Sequence, residues 1–287
     1  MNIPFKERSC SLNNNKPRKI TEKYVNLYVR LTDFCQAGCE FCTFHKKVRV
    51  NNFSHGKFVS TVKSLLDSGI MINKVSFTGG EPTTRIGMLK ACIKHICKVS
   101  PKTFIIVNTN GLQLEKLSDI GSIYSIALSR HHFNDDQNSS IFQTKRVPSS
   151  DLIRFMAGRN NNIHLSCNLI KGNIFDRETV LDYLEHVAGL GVFDVGFVGL
   201  MKVNKFCKDN FINFNRINFG NKRVVKNIRW NYGRSCRCAN YLYLPRIGKN
   251  LIKFYARTVC KPSEMTGSSV VFDGQNLLAG FSGKVIL

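Results

Sequence analysis

Residues 25–42 read VNLYVRLT-DFCQAGCEFC and decide the fold. The first eight residues form an apolar, β-branched and aromatic run that reads as a buried strand. That strand runs directly into Cys35, Cys39 and Cys42, which are separated by three and then two residues. The same arrangement of a strand ending in a polar or glycine-rich loop recurs downstream. Residues 74–78 form a short strand-like run stopped by Gly79-Gly80, and residues 103–108 one stopped by Thr109-Asn110-Gly111. Residues 122–129, 163–170 and 194–201 complete a set of six. Between them, residues 58–66, 88–98, 151–156 and 177–188 space their apolar side chains at helical period.

Six strands alternating with helices imply parallel βαβ units. The expected fold class is α/β, a partial (β/α)6 TIM-like barrel over residues 24–201. It is preceded by a polar extension, 1–23, and followed by a basic linker and a small β-rich C-terminal appendage, 202–287. In the appendage, a hairpin is expected over residues 240–257. A second spans 269–272 and 277–281, around the turn Asp273-Gly274. Active sites of such barrels lie at the C-terminal strand ends. The cysteine group, Gly79-Gly80-Glu81 and Asn108-Thr109-Asn110 all fall there.

Composition narrows the function classes. The chain has 287 residues, 43% hydrophobic and 21% charged, enough apolar material for a core, which excludes wholesale disorder. No run of about 18 apolar residues is present to span a membrane. Residues 1–23 are basic and lack the apolar stretch of a secretory signal, so a cytoplasmic location is expected. The net charge is +23, and residues 202–287 contribute +13 from sixteen basic and three acidic side chains. Such a field attracts anions, whether nucleic acid, nucleotide or acidic peptide; AT-rich codon bias toward Lys and Asn produces the same excess. Phe206, Phe211, Phe214, Phe219, Trp230 and Tyr232 alternate with cations, a texture suited to stacked bases or to a linker packed on the barrel.

Eleven cysteines in a chain read as cytosolic point to metal or cluster ligation rather than disulfides. Cys92, Cys97 and Cys167 sit in apolar stretches and read as small buried hydrophobes. Cys35, Cys39 and Cys42 are tight enough for one loop to wrap three thiolates around a cubane, the usual ligands of iron–sulfur clusters. Three ligands for four irons leave one iron open. A zinc knuckle completed by His45 is the alternative.

The Cys-x3-Cys-x2-Cys group after a first strand, with Phe41 inside it and Gly79-Gly80-Glu81-Pro82 after the second strand, resembles the radical S-adenosylmethionine (SAM) enzymes. The resemblance covers residues 25–201. It implies a 4Fe-4S cluster on Cys35, Cys39 and Cys42, whose open iron chelates SAM. It further implies SAM contacts from Phe41, Gly79, Gly80, Glu81 or its backbone, Asn108, Ser129, Arg130, Asn168 and Gly199. The implied chemistry is reductive cleavage of SAM to a 5′-deoxyadenosyl radical, which takes a hydrogen atom from substrate. A flavodoxin or ferredoxin is the implied reductant.

Cys236 and Cys238 before the expected hairpin, and Cys260 after it, resemble the auxiliary-cluster appendage of the molybdopterin-pathway GTP cyclase and of peptide-modifying maturases. They imply a second cluster, with Cys207 as a candidate fourth ligand. One residue rather than two separates the first pair, and the glycine-pair C-terminus of that cyclase is missing. The expected substrate is therefore an anionic small molecule or a peptide. An RNA-modifying enzyme and a non-catalytic iron–sulfur or zinc protein are the alternatives. His131 and His132 read as part of a polar loop.

Overall fold

Residues 24–42, 52–159, 162–213, 217–219, 223–229, 239–246, 250–257, 269–280 and 284–287 are described by a computed structural model. Six parallel strands form its centre: β1 (Tyr24–Thr32), β2 (Met71–Gly79), β3 (Phe104–Thr109), β4 (Ser125–Ser129), β5 (Ile163–Leu169) and β6 (Asp194–Gly199). They lie side by side in chain order. Helices α1 (His55–Asp67), α2 (Ile86–Val99), α3 (Asp135–Phe142), α4 (Ser150–Gly158) and α5 (Arg177–Gly189) connect them. This is the α/β, partial-barrel architecture expected. Helix α3 was missed, because Asp135–Phe142 carries little apolar periodicity. Among the described residues no helix is long and apolar enough to cross a membrane.

The two-residue period of each strand separates core from site. In β1, Val25, Leu27, Val29 and Leu31 are fully buried, and in β5 Ile163, Leu165, Cys167 and Leu169 are buried likewise. Together with Phe58, Val62, Leu89, Ile96, Tyr183 and Val187 of the helices they form one core. Each such side chain contributes about 1.5–3 kcal/mol by leaving water. Polar residues recur at the alternate positions, among them Asn26 and Arg30 in β1, Asn108 in β3, Ser129 in β4, and His164, Ser166 and Asn168 in β5. A polar face at this period is what a partial barrel presents to its lumen. Cys92 and Cys167 are fully buried in the core, where their neighbours are apolar.

The tail is built into the same sheet rather than standing apart from it. After a short helix α6 (Lys205–Asp209), strands β7 (Val224–Arg229), β8 (Ala239–Tyr243) and β9 (Ile252–Arg257) form a meander. Its β9 pairs parallel to β6. Strands β10 (Ser269–Phe272), β11 (Leu277–Ala279) and β12 (Lys284–Val285) extend the opposite edge, where β10 pairs parallel to β1. Both edges of an open barrel offer unpaired N–H and C=O groups, and these additions satisfy them. Strands β8 to β11 bear out the two expected hairpins. Strand β7 falls in a stretch without clean period. Cys236, Cys238 and Cys260 lie outside the described residues.

A side-chain contact across β6 helps to lock the tail to the barrel. The Tyr255 ring of β9 crosses β6 to reach His164 of β5, with its hydroxyl 3.0 Å from Nε2. His164 Nδ1 in turn lies 3.2 Å from Asp194 Oδ1. The crossing requires Gly196, since a Cβ there would sit 2.4 Å from the Tyr255 ring. Gly196→Ala is therefore expected to cost about 1–3 kcal/mol, the scale of forced overpacking. Urea denaturation of the two proteins measures the difference, and equal midpoints would mean that the ring does not lie over β6.

Candidate metal centre

The loop from Asp33 to Cys42 leaves the C-terminal end of β1 and is held from three sides. Its base is fixed locally: Asp33 pairs with Arg30 at 2.7 Å, and Thr32 Oγ1 accepts the Phe34 N–H at 3.1 Å. The first side is the Gly79-Gly80 turn. Gly80 N–H donates to Thr32 C=O at 2.6 Å, and Glu81 N–H to Phe34 C=O at 2.7 Å. A Cβ on Gly79 would stand 2.3 Å from the Thr32 oxygen, and one on Gly80 2.1 Å from the Phe34 oxygen. Gly79 also has φ of +119°, a conformation that glycine adopts without strain. What the two glycines allow is a close approach to the backbone of the cysteine loop.

Glu81 ties that turn to the second side, the end of β3. Its carboxylate is almost fully buried. It accepts from Thr83 N–H at 3.0 Å, Thr83 Oγ1 at 2.7 Å, Thr109 Oγ1 at 2.8 Å and Asn110 N–H at 2.7 Å. Burial pushes its pKa up, and these four donors offset part of the rise. The side chain is thus committed within the protein, which leaves the backbone around Glu81 as the part able to meet a ligand. Asn110, positioned by Glu81, places Nδ2 3.5 Å from Cys35 Sγ, and Ala37 N–H lies 3.4 Å from the same sulfur.

The third side joins α3, α6 and the end of β4. Gly38 N–H donates to Phe142 C=O at 2.8 Å. Asn204 Nδ2 donates to Glu40 C=O at 2.8 Å, and the Cys207 thiol lies 3.7 Å from Phe41 C=O. Cys207 is buried against Phe41 and belongs beside this first cysteine loop. His131, expected on a polar loop, is 3% exposed. Its ring meets Phe41 edge-on at 4.9 Å and stacks on Phe142 at 5.0 Å. Burial lowers its pKa to about 3. Only its place directly after β4 could have marked it in the sequence.

The charge of Cys42 weighs on the other two thiols. Burial raises the Cys39 thiol to about 12, and Cys42 and Cys35 add to the rise. Cys35 is raised by burial and by the charges of Glu81 and Cys42, against the N–H groups of Ala37 and Asn110. A cationic metal group would reverse this, because coordination deprotonates a thiol outright. Among the described residues no group of three or more His, Cys, Asp and Glu side chains is disposed to hold a single ion. His45 lies outside the described residues. Three thiolates are the donor type that iron–sulfur clusters take.

Asn108, Ser129 and Asn168 end neighbouring strands on the lumenal face, and Gly199 ends β6. Asn108 Nδ2 donates to Ser76 Oγ and Phe77 C=O, both at 2.9 Å. Arg130 is placed differently. Its guanidinium is fully buried, donating to Asp135 at 2.5 Å, Phe133 C=O at 2.8 Å, Ser150 Oγ at 3.1 Å and Pro148 C=O at 3.3 Å. Burial would raise the Asp135 carboxyl, but the Arg130 guanidinium and the N–H and hydroxyl of Ser150 outweigh it and hold the carboxyl below its ordinary value. The guanidinium thus braces the β4–α3 connection and α4.

A partial parallel barrel with three thiols at its C-terminal rim defines an iron–sulfur protein of the SAM-binding type. Residues 29–171 match the radical SAM superfamily, and the chain belongs to it. Members use a 4Fe-4S cluster and SAM. The GTP 3′,8-cyclase of Clostridium perfringens strain SM101 is 27% identical over 190 residues, 62% of this chain and 56% of that protein. That of Alkaliphilus metalliredigens is 26% identical over 199 residues, 64% and 59%. The chain spans a little over half the length of these curated relatives. Streptococcus suis SuiB bound to S-adenosylmethionine superposes with a TM-score of 0.53 at 16% identity, over 65% of this chain and 43% of SuiB, a likeness of fold.

Burial also lowers His186 to about 4, with the Arg130 charge adding to the effect. Both imidazoles are therefore neutral when folded and free to charge when unfolded. Their contribution is complete above about pH 6.5 and is lost as pH falls toward 4 and 3. For His131 alone the slope reaches about 1.4 kcal/mol per pH unit. Denaturation midpoints of the metal-free chain should fall steadily from pH 6.5 to 4, and a flat profile would contradict two buried neutral imidazoles.

Proposed function

We propose that this chain is a cytoplasmic radical SAM enzyme acting on an anionic small molecule or a peptide, aided by a second cluster on Cys236, Cys238 and Cys260. When bound, the first cluster and SAM supply the 5′-deoxyadenosyl radical that abstracts a hydrogen atom from substrate. The observation that carries this reading is the stitching of the Cys35–Cys39–Cys42 loop to the Gly79-Gly80-Glu81 turn at the barrel rim.

The protein's own part is to hold and orient. Cys35, Cys39 and Cys42 would ligate the cluster. Asn110 and Ala37 direct N–H groups at Cys35 Sγ and favour its thiolate form. The backbone at Gly79, Gly80 and Glu81 would meet the methionine end of SAM. Phe41, Asn108, Ser129, Asn168 and Gly199 line the strand ends where the nucleoside would lie. Arg130 would act from behind, by bracing the β4 end that carries Ser129. The lumen must exclude water and hold the target carbon close to the nucleoside.

Two comparisons support the substrate class. The curated relatives are named as acting on GTP, an anionic nucleotide. SuiB, also solved with its precursor peptide SuiA, superposes at a TM-score of 0.51. The +13 charge of residues 202–287 suits either kind of anion.

Alanine at Cys35, Cys39 or Cys42 should abolish formation of 5′-deoxyadenosine from SAM under anaerobic dithionite, read by chromatography. Cleavage that persists in all three variants would sink the assignment. Cys236→Ala should retain that cleavage. Its iron and sulfide should fall from about eight to about four of each per chain. Four in the parent protein would remove the second cluster.

A further inference from the structure

His131 combines several properties that the proposed function leaves unused. Its Nδ1 accepts the Asn168 N–H at 3.0 Å. An accepting Nδ1 carries no proton, so the ring proton of the neutral imidazole is on Nε2. No hydrogen bond to Nε2 is found among the described residues. The ring is wedged between Phe41 and Phe142, both of which pack with Cys39, Cys42 and Cys35. The His131 backbone N–H is held at 2.8 Å by Asn138 Oδ1. Asn138 is itself fully buried, and its Nδ2 has no partner. A ring and an amide, each with an unspent N–H, thus sit in the apolar wall behind the three thiols. Asn138 Nδ2, a buried donor without a partner, is costly unless an acceptor arrives.

We propose that His131, held as the Nε2–H tautomer by Asn168, is a hydrogen-bond donor to the sulfur atoms of the cluster and the positioning residue for Phe41. This rests on the reading that Cys35, Cys39 and Cys42 hold a cluster. Cluster sulfurs accept N–H donors, and such bonds shift the reduction potential. The reduced cluster carries one more negative charge, so a donor stabilises it and raises the potential. Through Asn168 the same ring links the end of β5 to Phe41, two of the positions expected to contact SAM.

The test is a potentiometric titration of the reconstituted full chain, monitored by the electron paramagnetic resonance signal of the reduced cluster. His131→Phe keeps a ring between Phe41 and Phe142 and removes both nitrogens. Its potential should fall by about 59 mV, a tenfold change in the one-electron equilibrium. His131→Gln, which restores a distal N–H, should recover at least half of that shift. Equal potentials for the Phe variant and the parent overturn the proposal. Should the Phe variant load no iron, His131→Asn takes its place, because it keeps an acceptor for Asn168 but no distal donor. Nitrogen-15 spectra of the metal-free chain give a second readout: an Nε2–H ring supports the assignment, and an Nδ1–H or doubly protonated ring at neutral pH overturns it. A parent chain that takes up no cluster at all sinks the proposed function instead.

Discussion

Three thiols within eight residues repel one another as soon as they ionise, and burial makes the ionisation of Cys35 and Cys39 harder. A loop that carries them must be held in shape by something other than the thiols. Here the restraint is backbone contact. Two glycines press the end of β2 against the carbonyls of Thr32 and Phe34, at distances where any side chain would collide. Glu81 turns that local contact into a three-strand joint, because one buried carboxylate accepts donors from its own turn and from the end of β3. Removing the carboxylate would leave the Asn110 N–H and the Thr109 hydroxyl without their acceptor, a penalty of about 1–3 kcal/mol for each buried group.

The fold was legible because its signals are local and repeated. The six strands of the barrel each pair an apolar core face with a turn or loop rich in glycine or polar residues. The cysteine spacing and Gly79-Gly80-Glu81 were legible for the same reason, since each lies within a few residues. What escaped the sequence depends on contacts far apart in the chain. His131 reads as polar because its neighbours His132, Asn134, Asp135 and Asp136 are polar. Its burial comes from Phe41 and Phe142. Arg130 stands at a strand end suited to a ligand contact, yet its guanidinium finds Asp135 and Ser150 on the helical side. Which way a long side chain turns at a strand end is decided by partners from other elements.

The tail shows the same limit at a larger scale. Its hairpins were readable from their turns, but their docking was not. Edge pairing uses main-chain groups that every sequence carries, so β9 and β10 bear no mark naming β6 and β1 as partners. The one side-chain trace is Gly196, whose missing Cβ makes room for Tyr255. A glycine within a strand marks the close approach of another group, without saying which.

This placement bears on how the tail communicates with the rim. Helix α6 follows β6 directly, and through Asn204 and Cys207 it reaches the carbonyls of Glu40 and Phe41. Phe41 is therefore gripped at its backbone by the start of the tail and at its ring by His131. A displacement of α6 would pull on a residue next to Cys42, whereas a displacement of β9 would be felt through Tyr255 and His164 deeper in the lumen. The cysteine loop is thus the point where barrel, helical layer and tail meet. Its geometry depends on all three, because ten residues with three mutually repelling thiols have too few contacts of their own to hold it.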